Sequence, residues 1–235
     1  MESLNSARHA FDSELDKLEH DLLQMGSKVE TMVTLSVESL TKLDVGLALD
    51  VCKRDDEVDI LDLEIEDRCI RLLALQHPIA GDLRTVSTAM KMITDIERVG
   101  DLAVEIAKIA MKIDKEFGRA DIIDVPRISR PAVQMFRESL EAYVKKDINI
   151  VKQVIQQDDE VDTLYRNLRE QLFDRMRDDP QNVVTDSWLF LAIHHVERIA
   201  DHSVNISERV HYMVTGSFEE LAGAHRRANL PSSHS

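Results

Sequence analysis

The sequence is poor in everything a strand-rich or turn-rich fold requires. Its 235 residues include only 7 glycines and 5 prolines, and aromatic residues make up 4%. Sandwiches and barrels need frequent turns and many β-branched and aromatic residues, so these counts disfavour them. Cysteine is scarce as well. Cys52 and Cys69 are the only two, too few for the paired framework of a small secreted domain. A reducing cytoplasm is the simplest setting. No stretch free of Asp, Glu, Lys and Arg exceeds about ten residues, well short of the roughly 20 a membrane-spanning helix needs. Met1–Ala10 has no apolar core, so no signal peptide is expected. Positive charge is also in deficit: 29 basic residues face 44 acidic ones, for a formal net charge of −15. That balance repels phosphate backbones and anionic lipid, and it disfavours nucleic-acid partners. It suits multivalent cations.

What is present is helical periodicity. Hydrophobic residues are 43% of the chain and charged residues 31%, the composition of a soluble, folded protein. From Leu15 the apolar residues recur at steps of three and four through Leu18, Leu22, Met25, Val29 and Val33, with Ser36 the one polar break before Leu40, Leu43 and Leu47. Gly46 is expected near the end of this first helix. A second run carries Val58, Leu61, Ile65, Cys69 and Leu72 and closes at His77-Pro78, because the residue before proline avoids the helical region. A third runs from Gly81 to Ile113, with Gly118 as its stop. Residues 118–130 read as a linker, and Pro131 suits the first turn of a fourth helix ending near Lys146. The fifth is expected from Ile148 to Arg177, broken by Asp179-Pro180, and the sixth from Thr185 to Val214, stopped by Gly216.

The halves repeat. Asp-Asp-Glu-Val-Asp occurs at Asp55–Asp59 and again at Asp158–Asp162, and Glu-Ser-Leu at Glu38–Leu40 and Glu138–Leu140. Glu97-Arg98-Val99-Gly100-Asp101 is echoed by Glu197-Arg198-Ile199-Ala200-Asp201. The expected fold is all-α, a tandem repeat of two antiparallel three-helix bundles. The first covers 1–117 and the second 131–216, with residues 217–235 a disordered tail.

The repeated motifs are acidic. On a helical wheel Val86, Met90, Ile93 and Val104 fall within about 40° of Glu97, which places a carboxylate in the middle of an apolar stripe. Asp101 follows one turn later, and Glu197 and Asp201 repeat the pattern. A buried, unpaired carboxylate costs several kcal/mol, so a basic side chain, a proton or a bound cation must compensate it. Asp55 and Asp59 lie along one border of the second helix's core stripe, as do Asp158 and Asp162 in the fifth. Antiparallel neighbours would bring them opposite Glu97 and Asp101, and Glu197 and Asp201. Four converging carboxylates make a metal site between bundle helices. The competing reading is a solvated or ion-paired face, with Arg84, Arg98 or Arg198 as partners, although intrahelical pairing of Arg98 to Glu97 is not expected from the wheel. Asp62 and Glu66 extend the border in the first repeat, but Tyr165 and Arg169 stand in their places, so they read as less essential. His194 could add a nitrogen ligand to the second site; its counterpart is Thr94. His195 and His202 read as ordinary packing or surface residues.

These motifs resemble those of the PhoU family of phosphate-uptake regulators. The likeness rests on Asp55–Asp59, Pro78-Ile79-Ala80-Gly81-Asp82-Leu83-Arg84, Asp95–Asp101 and Val196–His202 running to Asn205-Ile206, and spans about Asn5 to Gly216. The resemblance implies metal sites at Asp55, Asp59, Glu97 and Asp101, and at Asp158, Asp162, Glu197 and Asp201. It implies divalent or trivalent ions there, iron or zinc first and including multinuclear clusters, with magnesium or manganese also admissible. It implies a non-enzymatic regulator that represses phosphate uptake and the phosphate-starvation response. Its implied partners are a sensor histidine kinase, the ATPase subunit of the phosphate ABC transporter and a second copy of itself, in the cytoplasm or at the inner membrane face. Ala200 departs from Gly100, and the second repeat lacks the Ala-x-Asp-Leu-Arg stretch, so any role of Arg84 belongs to one half. Two alternatives remain: a carboxylate-bridged di-iron oxidase and a metal-free helical adaptor. The oxidase needs paired Glu-x-x-His motifs, and only Glu208-x-x-His211 has that spacing.

Overall fold

In a computed structural model that describes residues 2–76, 80–117, 122–217 and 221, the chain is all-helical, with no strand among those residues. The helices are α1 (Glu2–Lys42), α2 (Val45–Gln76), α3 (Ala80–Phe117), α4 (Val125–Lys145), α5 (Ile148–Asp178) and α6 (Val183–Thr215), with a 3₁₀ turn at Pro180–Asn182. Helix α3 packs against α1, α2 and α6, and α6 packs against α3, α4 and α5. Each repeat is thus a three-helix bundle whose third helix also forms the seam with the other repeat. Helices α1 and α4 make a second contact across that seam.

The apolar spacing builds the core. Leu18, Leu22, Met25, Val29 and Met32 of α1 are fully buried, as are Val58, Ile65 and Cys69 of α2. Burying one such side chain stabilises the fold by roughly 1.5–3 kcal/mol. Ser36, the polar break in the pattern, is fully buried and donates its hydroxyl to the Val33 carbonyl at 2.8 Å. Ser139 does the same to the Phe136 carbonyl at 2.7 Å.

The first helix ends earlier than its apolar pattern implies. It stops at Lys42, and Leu43 turns the chain in the left-handed region at φ 52°. The Asp44 N–H donates back to the Ser39 carbonyl at 2.9 Å, and the Asp44 carboxylate accepts from the Leu47 N–H at 3.1 Å, so Leu47 belongs to α2. The second repeat builds the same turn. Lys146 has φ 53°, the Asp147 N–H donates to the Ala142 carbonyl at 3.2 Å, and the Asp147 carboxylate accepts from the Asn149 N–H at 2.8 Å. The equivalences Leu43–Lys146, Asp44–Asp147 and Ser36–Ser139 share the 103-residue offset that links Asp55 to Asp158. The Glu-Ser-Leu echo, at an offset of 100, is one helical turn out of register in α1 and α4 and is coincidental there.

The segment 118–130 is also not a linker throughout. Residues 118–121 lie outside the described structure, but α4 already begins at Val125, with Pro126 in its first turn. Proline is tolerated there because the first-turn N–H groups have no intrahelical acceptor. Pro131 lies inside the helix rather than at its start. The helix continues past it because Ile128, Ala132, Met135 and Phe136 on its inner face are buried. His77-Pro78 and the tail, apart from Ser217 and Leu221, fall outside the described residues.

Candidate metal centre

Helices α2 and α3 run antiparallel and carry their acids to one shared border. Asp55, Asp59, Asp62 and Glu66 recur at steps of three and four, so they form a row along α2. Asp101 bears on Asp55, and both Asp59 and Asp62 bear on Glu97. Burial, then Asp59 and Asp101, holds the Asp55 carboxyl above the usual carboxylate range, with Lys108 opposing. Burial, then Asp101, does the same to Glu97; Asp62 and Asp59 add to it, and Arg98 opposes. Asp62 is raised by burial, Glu66 and Asp59. Like charges from two helices therefore crowd one another at the border of the first bundle, and each carboxylate raises the cost of ionising the next.

Two details differ from the sequence expectation. Glu97 is not central in the apolar stripe; its side chain keeps 27% of its exposure. The wheel assumes one buried face, whereas α3 is enclosed by three neighbours, with Ile96, Val99, Gly100 and Ala103 buried and Glu97 at the edge towards α2. Arg98 does pair within its own helix. It lies 2.9 Å from Asp101 and 3.5 Å from Glu97, because its long, half-exposed side chain swings over both acids.

The second border has the same frame with different chemistry. Asp158 and Asp162 sit on α5 and Glu197 and Asp201 on α6, two helices in direct contact. Asp158 is buried at 4% exposure. Glu197 lies 3.3 Å from His194 Nδ1, a contact that is ionic when the imidazole is protonated. Tyr165 takes the place of Asp62. Its phenol is raised by burial and then by Glu197, so it stands against the Glu197 carboxylate, and the Arg169 guanidinium lies 5.9 Å from the Tyr165 ring centre. Here an imidazole and a phenol stand beside Glu197, and a guanidinium lies by the phenol ring.

The donor chemistry fits a hard or borderline cation: carboxylate oxygens in both borders, with an imidazole nearby in the second. At Gly100 an added Cβ would lie 3.8 Å from the Asp55 carboxylate, so only a methyl-sized gap separates α3 from that acid. The ligands are not gathered in advance. Among the described residues no three His, Cys, Asp or Glu side chains already stand as a coordinating set. Asp55, Asp59, Glu97 and Asp101 share a border, but a cation would have to draw them in and displace Arg98.

Sequence reasoning passed over a contact that joins the repeats. His202 Nδ1 on α6 lies 2.9 Å from Asp95 Oδ1 on α3, with Asn205 donating to the same oxygen at 3.4 Å. The repeat pattern hides it, because residues 95 and 202 are not equivalent positions. Arg84 also bridges the seam: its Nε donates to the Met213 carbonyl at 3.2 Å, near the end of α6. No described helix is long and apolar enough to cross a membrane.

Residues 22–110 and 125–210 each match the PhoU domain model. The chain is 35% identical over 215 residues to the phosphate-specific transport system accessory protein PhoU homolog of Clostridium acetobutylicum, covering 91% of this chain and 98% of that one. It is 36% identical to the homolog of Synechocystis, covering 92% and 96%. Among solved structures it is similar to PhoU from Pseudomonas aeruginosa, with TM-score 0.84, 33% identity and coverage of 88% of this chain and 100% of that one. The phosphate transport system regulatory protein PhoU from Streptococcus pneumoniae gives a TM-score of 0.83 at 28% identity, covering 89% and 99%.

Proposed function

The chain belongs to the PhoU family, and from that premise we propose that it is a negative regulator of phosphate uptake and of the phosphate-starvation response. Its near full-length correspondence to accessory proteins of phosphate-specific transport carries this reading. In it the chain is not an enzyme. It acts in the cytoplasm or at the inner membrane face, as a homodimer, on a sensor histidine kinase and on the ATPase subunit of the phosphate ABC transporter. A regulator of this kind works by binding one state of its partner more tightly than the other. The test is a bacterial host that lacks its own gene of this family and carries a phosphate-starvation reporter. Expression of the chain is expected to silence the reporter in phosphate-rich medium. A reporter that stays on, with the chain folded and abundant, refutes the reading.

In this reading the carboxylate borders hold metal ions, iron or zinc first, through Asp55, Asp59, Glu97 and Asp101 and through Asp158, Asp162, Glu197 and Asp201. Bound cations would neutralise the crowded acids and fix the inner surface that the partner meets. The crowding that raises Asp55 and Glu97 supports this. Metal-loaded protein is then expected to bind the kinase more tightly than stripped protein; equal binding refutes the coupling. A metal-free adaptor has one observation in its favour, the hold of Arg98 on Asp101 and Glu97. Elemental analysis of protein purified without chelator separates the two: metal-free protein that resists reloading favours the adaptor.

A further inference from the structure

Beside the acidic row of α2 runs a second row that the fold leaves bare. Ile60, Leu63 and Ile70 are 56%, 65% and 51% exposed, far more than helix residues that serve a core. Their spacings of three and seven put them on one face of α2. From Ile60 to Ile70 the row spans about 15 Å of helix, or nearly three turns. Its neighbours on one side are Asp59, Asp62 and Glu66. Among the described residues no basic side chain lies within ion-pairing distance of these three acids. The arginines nearby are engaged elsewhere: Arg68 with Glu14 and Asp21, and Arg71 with Asp67.

The second repeat lacks this combination. At the 103-residue offset, Ile60 and Leu63 become Thr163 and Arg166, while Asp62 and Glu66 become Tyr165 and Arg169. Only Ile70 keeps an apolar counterpart, Phe173, and its ring lies 5.7 Å from Phe190. The exposed apolar row and the uncompensated acids therefore occur together, in one half of a duplicated fold. Repeat architecture does not demand either feature, since the other half folds without them.

We propose that this face of α2 docks a basic amphipathic helix of a protein partner. Its apolar residues would lie on Ile60, Leu63 and Ile70, and its Lys or Arg residues along Asp59, Asp62 and Glu66. Two apolar ridges at helical spacing are what a helix-on-helix contact requires. The acidic row selects the sign of the partner's charge, and it excludes an anionic membrane or a nucleic acid as occupant. A second copy is disfavoured at this face, because it would set the acidic row of one α2 against that of the other, which leaves a homodimer free to form elsewhere. Asp59 is shared with the candidate ligand set, whereas Asp62 and Glu66 lie outside it, so the test is made without metal and varies only those two acids.

The test uses the full chain in EDTA at about physiological salt, where surface charge is screened beyond about 8 Å. The probe is a labelled helical peptide with leucines on one face and lysines on the other, paired with a scrambled peptide of the same composition. The ordered peptide is expected to bind at least about tenfold tighter than the scrambled one and to protect α2 amides from exchange. Ile60→Ser with Leu63→Ser is expected to abolish that preference. Asp62→Asn with Glu66→Gln is expected to weaken binding several-fold, and Phe173→Ser to leave it unchanged. All of these positions are solvent-facing or at a border, and circular dichroism checks that each variant folds. Equal binding of the two peptides, or full affinity in the Ile60/Leu63 variant, overturns the proposal. So does a dimer that this variant splits while the peptide fails to compete, because the face would then belong to a second copy.

Discussion

Gly100→Ala is a direct test of how closely α1, α2 and α3 approach. Gly100 lies in the interior of α3, fully enclosed, where glycine costs about 0.8–1.0 kcal/mol relative to alanine in backbone freedom. A Cβ at this position would meet Val29 at 3.6 Å and both Met32 and the Asp55 carboxylate at 3.8 Å, all ordinary contact distances. The added methyl therefore needs no rearrangement and gains packing against two apolar side chains. Its cost is some further loss of water around Asp55, whose carboxyl is already raised. The second repeat supplies the precedent, for Ala200 occupies the equivalent position at 1% exposure. The net expectation is a stabilisation of about 1 kcal/mol in metal-free protein, or roughly 2–4 °C in Tm for a chain of this size. Urea and thermal unfolding in EDTA measure it. A loss of about 1 kcal/mol or more would mean that the helices lie closer than described, and the space assigned beside Asp55 would not exist. A gain in stability with loss of metal affinity would instead mark Gly100 as room kept for an ion.

The raised carboxyls also give the metal-free protein a signed pH dependence. Asp55 and Glu97 sit above their ordinary values of 3.8 and 4.5, so over that window the folded chain binds more protons than the unfolded one and stability falls as pH rises. Their share of the stability in EDTA is expected to be larger near about pH 5 than at neutrality, and Asp55→Asn with Glu97→Gln is expected to remove that share and make the slope against pH less negative. Glu14 and Glu57 have lowered values, so their contributions are lost only at more acid pH, while His195, lowered by burial, opposes the trend below neutrality; the comparison with the double variant therefore isolates the acids. An unchanged slope in the double variant refutes the crowding. Arg175→Met removes the guanidinium 3.0 Å from the fully buried Asp186 and is expected to cost on the order of 3 kcal/mol in urea unfolding; a loss under about 1 kcal/mol would mean that Asp186 is satisfied without it.

The architecture was legible because helices write a period of three to four into a sequence, and the duplicated acidic motifs fixed the repeat. Its errors have local causes. Leu43 turns the chain in a left-handed conformation that a leucine does not advertise, so the apolar run seemed to continue to Leu47. Pro131 looks like a helix start but is carried inside α4 by the packing around it. The acidic residues were legible as a set, and their register across α2 and α3 followed from antiparallel packing. Their depth was not. A wheel cannot know that α3 has three neighbours, and so it placed Glu97 at the centre rather than the border. The Asp95–His202 pair was invisible for a related reason: it depends on how two bundles dock, which no single helix encodes.

The two borders share a frame but not a charge balance, and that difference has a measurable consequence. The first gathers Asp55, Asp59, Asp62, Glu66, Glu97 and Asp101, with Arg98 paired to Glu97 and Asp101 and Lys108 opposing at Asp55. In the second, Tyr165 and Arg169 replace two of those acids, and His194 stands at 3.3 Å from Glu197. A site with more negative charge and less internal compensation binds a cation more tightly and loses more on being emptied. Titration of stripped protein with a divalent ion is therefore expected to resolve two classes of site, the first-repeat class filling first. Arg169→Ala should narrow the gap by relieving the second border of its guanidinium. If the two borders fill together in the unaltered chain, Tyr165 and Arg169 do not bear on Glu197 as their positions require, and the asymmetry of the repeats has no electrostatic meaning.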